Sequence, residues 1–445
     1  MPILTKEQAK ALLTKALSYS KAEQCEINLY GSDSGNIRYA RNSVSTSGGV
    51  SANSMVVNSA FGKKLGVATI NEFDDASLEK VVRRAEELAK LAPENPEFMP
   101  FLGPQQYGAD SPTFSESTAA MGAKERADAV QDSLNYSREN KLTAAGFLSN
   151  SIGFAAMMNS NGLFAYNKST DVAFNITVRT EDSTGSGYAT KGYNEFKKLN
   201  AKNDTIVASK KALASVAAKA IEPGKYTVIL EPTAVAVMLE NIFSSMDARQ
   251  ADEGRSFMSK PGGKTKLGEQ LVDQRVNIYS DPWNPDLPSS TWSADGRPQE
   301  KVSWIEKGVV KNLSSSRYWA QKTGIKSIPS PGGMIMEGGT KTLEELIKGT
   351  EKGILVTRLW YIRSVDPQTL LLTGLTRDGT FYIENGEIKF PVKNFRFNES
   401  PIIMLNNLEE MGKTERTVSA ESNANYLLPP LKIKDFTFTS LSDAI

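Results

Sequence analysis

The chain has 445 residues, long enough at roughly 150 residues per domain for about two or three domains. Its 40% hydrophobic and 23% charged content excludes wholesale disorder, and 52 Lys+Arg against 51 Asp+Glu, with no basic block, argue against a nucleic-acid or anionic-membrane binder. One cysteine and no histidine exclude an internal disulfide, every Ser-His-Asp or Cys-His arrangement and every His-ligated zinc site.

The first element is a helix after Thr5, whose spacing to Gln8 is that of a capping box. Charged Lys6 and Glu7 stand where the apolar core of an export signal would lie, and no apolar run approaches the roughly 20 residues that span a bilayer. The expected location is the cytoplasm, with no membrane partner. Alternation at 26–30 and 36–40 predicts half-buried strands, with further strands at 50–57 and 64–70 separated by a turn at Gly62. A helix opened by Asp74 or Asp75 carries Leu78, Val81, Val82, Ala85, Leu88 and Ala89 at helical intervals, and Pro93 and Pro96 stop it. After a Pro-, Gly- and aromatic-rich connection come a helix at 123–139, strands near 144–148 and 172–178, and a helix over about 204–221.

A domain boundary is expected at Glu222-Pro223-Gly224. Beyond it lie a strand at 226–230, an apolar helix over about 233–246, and then short apolar runs separated by Gly, Pro, Asn and Asp, with one short helix at 343–348. Asn385-Gly386 between two apolar runs is a type I′ hairpin signal. The predicted fold class is α+β: an N-terminal α+β domain with an antiparallel sheet (1–222) and a mostly β, sandwich- or barrel-like C-terminal domain (223–445).

In order along the chain, Arg41-Asn42-Ser43-Val44, the run from Phe61 to Asn71, the helix-plus-proline segment 74–96, Asn159-Ser160-Asn161-Gly162, the run from Ile221 to Val237, Ser280-Asp281-Pro282, the run from Ser293 to Pro298 and that from Ile383 to Val392 resemble the TldD/PmbA family, also called modulators of DNA gyrase. The resemblance covers most of the chain. It implies a two-domain subunit of one of two kinds that pair as a heterodimeric peptidase, associated with trimming peptide-antibiotic precursors and degrading small or unfolded peptides. The TldD kind carries an H-E-x-x-x-H helix at the head of the C-terminal domain and a cysteine near the C-terminus as metal ligands. The PmbA kind lacks them.

Here the corresponding helix reads EPTAVAVMLENIFSSM, and the stretch 409–431 contains no cysteine. Glu231 and Glu240 are nine positions apart, about two and a half turns, and cannot converge on one ion from a single helix. The chain is therefore identified as a PmbA-like member or one of a further diverged, metal-free branch, with no catalytic residue, metal ligand or cofactor expected, whose partner is a TldD-like metal-bearing subunit or a second copy of itself and whose ligand is an unfolded or extended peptide. The alternative is a homodimeric peptide-binding scaffold with no peptidase activity.

Other features have structural readings. Cys25 is expected to pack as a small buried hydrophobe. The acidic loop 280–286 with Asp295 has oxygen ligands suited to a hard cation but lacks a regular calcium-loop spacing, and its prolines point to a rigid turn. Ser256 with Ser259-Lys260 is the nearest approach to a Ser-Lys pair and has no recognisable oxyanion partner. Candidates for lining an interior groove are Asp281, Asp295, Gly296, Asn385 and Gly386.

Overall fold

Four long strands organise the first half of the molecule. The computed structural model describes residues 3–442. Helix α1 (Lys6–Ser18) opens on the Thr5–Gln8 capping box and α2 (Asp75–Leu91) on Asp74, whose side chain accepts from the Ser77 N–H. Strands β1 (Gln24–Ala40), β2 (Ser43–Phe61), β3 (Lys64–Ile70), β4 (Leu142–Asn159), β5 (Phe164–Thr180) and β6 (Ser186–Tyr193) form one sheet in the order β3-β2-β1-β4-β5-β6, antiparallel throughout. Where the sequence predicts two short strands at 26–30 and 36–40, a single seventeen-residue strand runs through. The polar stretch between them stays extended because β2 and β4 bond it on both sides, from Tyr30 to Asn36.

Side chains alternate strictly along these strands. Ile27, Leu29, Phe154, Ala156 and Met158 point to the face covered by α1 and α2. Further along the same strands, Ile37, Tyr39, Leu148, Phe174 and Ile176 pack under α4 (Ala123–Glu139) and α5 (Ala201–Ala214), with the one-turn α3 (Glu116–Ala119) before them. Two glycines set the helix-to-sheet distance: a Cβ on Gly66 would lie 2.1 Å from the Ala85 carbonyl oxygen, and one on Gly187 would lie 2.0 Å from that of Ala208. Among the described residues, none of these helices covers the opposite face of the sheet.

Helix α5 differs from its predicted span. It starts at Ala201, capped by Asn200, and ends at Ala214 rather than near Ile221. The alanine-rich tail has helical propensity but no further face to bury. Ser215 accepts from the Ser186 N–H at 2.9 Å, Ala217 turns to φ +57, and the backbone then pairs with the second half through Lys219 and Val392.

The second half is built on a closed barrel. Strand β7 (Lys225–Leu230) pairs with strands 352–366 and 431–441; strand 395–399 joins 431–441 to 371–384, and 371–384 returns to 352–366, closing a five-stranded ring. Phe395 and Phe438 stack at 4.5 Å between centroids, with Phe436 5.3 Å from Phe438 and 5.5 Å from Phe397. The same core takes in helix α6 (Pro232–Ser244), of which Ala234 to Leu239 are at most 1% exposed. A second, six-stranded sheet of short strands contains 278–280, 302–306, 309–310, 335–336, 415–418 and 425–428. The chain is thus α+β, with an antiparallel sheet in the first half and a barrel in the second. Besides the predicted helix at 343–348, short helices occur at 248–252, 317–323 and 401–406; each is a turn or two, too brief for periodicity to reveal.

Two stability predictions follow from this packing. Truncating the barrel aromatic in Phe436→Ala is expected to cost about 3–5 kcal/mol by urea denaturation, since the side chain is fully buried among other rings. Asp204 of α5 is buried, which pushes its carboxyl up to about 6 against the pull of Lys191. A carboxyl raised in the folded state contributes stability only while it holds its proton, so that contribution is lost as pH rises from about 4 through about 6. Asp204→Asn is therefore expected to raise stability at pH 7 by up to about 3 kcal/mol and to have little effect below about pH 4, compared by urea denaturation at both pH values.

Candidate functional site

The helix-free face of the first sheet meets the second half across a trough. Along β5 the outward row is Asn167, Ser169, Asp171, Ala173, Asn175 and Thr177, all small or polar. The first three line a cavity of about 870 Å³, and Asp171 onward line a second of about 850 Å³. Asp171 and Asn425 belong to both linings, so the two cavities meet at these residues. The row from 167 to 177 spans roughly 33 Å at strand rise. Facing it are the end of α6 (Phe243, Ser244), the loop 287–290, the turn 330–334, and Arg416 with Ala424 to Tyr426.

Charge is sparse in the larger cavity. Asp247 caps the helix 248–252 through the Gln250 N–H, leaving Asp171 and Arg416 as the charges not spent on backbone geometry alone. Burial raises the Asp171 carboxyl above the usual range, with Arg416 pulling it back, and burial likewise depresses the Arg416 guanidinium. Arg416 Nη1 donates to the Asp286 carbonyl at 2.6 Å, while its Nε is buried without a hydrogen-bond partner. Asn425 Oδ1 is also buried and unpartnered.

None of the five sequence-stated groove residues is among those lining the trough. Asp281 Oδ1 accepts from the Trp283 N–H at 3.0 Å and holds a turn that is stapled to the 93–112 connection by Trp283 Nε1 donating to the Ala109 carbonyl and Ser111 Oγ to that of Pro282. Asp295 is clamped by Arg297 Nε at 2.8 Å and Ser293 Oγ at 2.6 Å; burial pushes its carboxyl up, but these bonds more than offset it and hold it below the usual range. Gly296, at φ +80, presses on the tip of the β4–β5 hairpin, and its carbonyl accepts from the Tyr107 hydroxyl at 2.8 Å. Asn385 and Gly386 form the expected two-residue turn at φ +52 and +76, against the end of the helix 343–348. The loop beyond Asp281 does reach the trough, through Leu287 to Ser290. Asp171, Arg416 and Asn425 belong to no motif. The one local trace is an acidic residue on the polar side of an otherwise apolar and small strand.

The carboxylates of α6 are engaged elsewhere. Glu231, at the helix N-cap, ion-pairs with Lys211 of α5 at 2.6 Å and accepts from Thr357 Oγ1 at 3.2 Å. Glu240 accepts from Ser422 Oγ and from the Tyr426 hydroxyl at 3.2 Å. Ser256 Oγ donates to the Ser245 carbonyl and Lys260 Nζ pairs with Glu269, so no Ser-Lys couple forms. Cys25 is fully buried, and burial pushes its thiol up to about 11.

Models of the PmbA/TldA metallopeptidase central and C-terminal domains match residues 112–222 and 223–440. The chain belongs to the PmbA/TldD metallopeptidase family. An uncharacterized protein of Methanocaldococcus jannaschii is 22% identical over 374 residues, 79% of this chain and 83% of that one. Metalloprotease PmbA of Escherichia coli O157:H7 is 27% identical over 173 residues, 38% of this chain and 37% of that protein. Among solved structures, TldE from Thermococcus kodakarensis superposes with a TM-score of 0.87 at 18% identity, covering 97% of this chain and 99% of that one. A Thermotoga maritima protein described as a candidate modulator of a DNA gyrase gives 0.86 at 17% identity, covering 97% and 100%. At these identities the structural likeness establishes the fold.

The donor set of this PmbA/TldD-family chain does not fit a catalytic zinc, which takes three ligands from imidazole, thiolate and carboxylate. Among the described residues no three of His, Cys, Asp and Glu are grouped to hold a metal, and Glu231 and Glu240 are bound to different partners. Because Glu231 is half-sequestered with Lys211, Lys211→Met is expected to cost about 3 kcal/mol or more, and the double change with Glu231→Gln to restore most of that, read as urea midpoints of the three variants.

Proposed function

We propose that this chain is a non-catalytic, metal-free subunit of a TldD/PmbA-type metallopeptidase acting in proteolysis or peptide maturation. A metal-bearing subunit supplies the metal and the general base, and this chain supplies walls for an extended peptide. The observation that carries the reading is α6, the helix the family resemblance matches to H-E-x-x-x-H: its apolar residues are core, and its two carboxylates are bonded to Lys211 and Thr357 and to Ser422 and Tyr426. The trough of small polar side chains supports a role in holding peptide.

The reading includes a division into an N-terminal domain, 1–222, and a C-terminal domain, 223–445. In its favour, one sheet lies wholly before residue 194, the barrel lies wholly after residue 224, and the two family models meet between 222 and 223. It also includes a cytoplasmic location; among the described residues no helix is long and apolar enough to cross a membrane.

A homodimeric peptide-binding protein is the second reading. The outer edge of β2 from Ser43 to Ser54 pairs with no strand among the described residues, because β3 begins its pairing at Met55. That edge has neither charge nor proline to discourage strand addition by a second copy.

The test is cleavage of an unfolded peptide by the purified chain, by a family subunit carrying H-E-x-x-x-H, and by the two together. Cleavage confined to mixtures containing the metal-bearing subunit, increased by this chain and abolished by a chelator, is expected. Robust metal-dependent cleavage by this chain alone would overturn the proposal.

A further inference from the structure

Three polar side chains line the larger cavity of the trough, two of them where it meets the second, and each keeps a polar atom without a hydrogen-bond partner among the described residues. Asp171 and Asn425 line both cavities and Arg416 the larger one; among the described residues the Asp171 carboxylate takes part in no hydrogen bond, and Asn425 Oδ1 and Arg416 Nε are buried without a hydrogen-bond partner. Asp171 and Arg416 interact electrostatically but form no ion pair among the described residues, so the carboxylate and the guanidinium Nε keep hydrogen-bonding capacity for a ligand. Buried polar groups in native proteins are almost always paired, and orphans of both signs around one cavity call for a ligand that carries the complementary set.

The arrangement specifies that set: two acceptors and one donor, side by side. An ammonium offers three N–H donors, which suits Asp171 and Asn425 Oδ1 together, and a carbonyl oxygen beside it suits Arg416 Nε. Among common biological groups, the amino end of a peptide has this pairing, its free amine and first carbonyl being separated by one α-carbon. An internal peptide unit offers a single N–H and no charge. A carboxylate end would face the Asp171 anion.

We propose that Asp171, Asn425 and Arg416 form a binding site for the free amino terminus of an extended peptide, whose following residues lie along the outward row of β5. This rests on the trough being a peptide site, as proposed above, and gives that site a polarity. The chain would hold peptides by the end as well as by their length, and would discriminate against those whose amine is blocked.

The experiment is calorimetric titration of the full chain with one uncharged Ala/Ser hexapeptide in three forms: free at both ends, N-acetylated, and C-amidated. The expected result is that acetylation weakens binding about tenfold or more, the scale of a lost charge-assisted hydrogen bond, while amidation leaves it unchanged. Asp171→Asn is expected to abolish the preference for the free amine, and Arg416→Met to weaken the free and amidated forms alike, with thermal melts confirming that both variants fold. Equal binding of the free and acetylated peptides would overturn the inference while leaving the trough a peptide site. Loss of binding on amidation would overturn it in favour of carboxylate recognition, and failure of all three to bind would overturn it together with the trough's role. None of these outcomes touches the cleavage test, which alone decides whether this chain is catalytic.

Discussion

The two-residue alternation of the long strands is the constraint from which the rest of the first half follows. In β1, β4 and β5, strands of seventeen or eighteen residues, one set of positions is mainly apolar and the other mainly small or polar. A slip of one residue would carry Ile27, Leu29, Phe174 and Ile176 into the trough and bring Asp171 and Asn175 under the helices. The register is therefore held by burial on one face, and the open face comes with it. Four longer helices cover the apolar face in two pairs, and since none of these four lies on the other face, it forms a broad floor of mainly small and polar side chains.

That floor becomes the base of a trough only because the second half closes over it. The barrel supplies rigidity: five strands in a ring leave no free edge, and a cluster of phenylalanines fixes the core that α6 shares. Arg416 and Asn425, on short strands of the adjoining sheet, thereby line one cavity with Asp171 of the first half. The electrostatic cost of this burial is visible in both partners, since the carboxyl is raised and the guanidinium depressed. Titratable groups shifted by burial cluster at functional sites, although structural ion pairs shift them too. The contrast with Glu231 and Lys211 is instructive, because that pair closes at 2.6 Å and ties α5 to the head of α6.

Local chemistry made some of the architecture legible. Thr5, Asp74 and Asn385-Gly386 each fulfil a short-range geometric need, a cap or a left-handed turn, and each stands where the sequence places it. The helix 123–139 and the apolar α6 were equally plain from their periodicity. The long strands were read in fragments because their middles are rich in serine, asparagine and glycine, whose extended state is imposed by neighbouring strands rather than by preference. The end of α5 was misplaced for the complementary reason: alanine favours helix, and a tertiary hydrogen bond from Ser186 to Ser215 ended it.

By itself, the sequence determined which chemistry this chain lacks and which family pattern it carries, since composition and ordered motifs are properties of the linear chain. The absence of histidine and the identity of the α6 residues need no coordinates. Only the tertiary structure decided that Asp281, Asp295, Gly296, Asn385 and Gly386 serve turns and packing, and that Asp171, Arg416 and Asn425 share a cavity. Arg416 and Asn425 lie on paired strands of one sheet and Asp171 on a distant strand of the other, and no spacing rule relates Asp171 to the pair. Their meeting is set by strand register and by how the two halves close, which are collective outcomes of burying apolar surface across the whole chain.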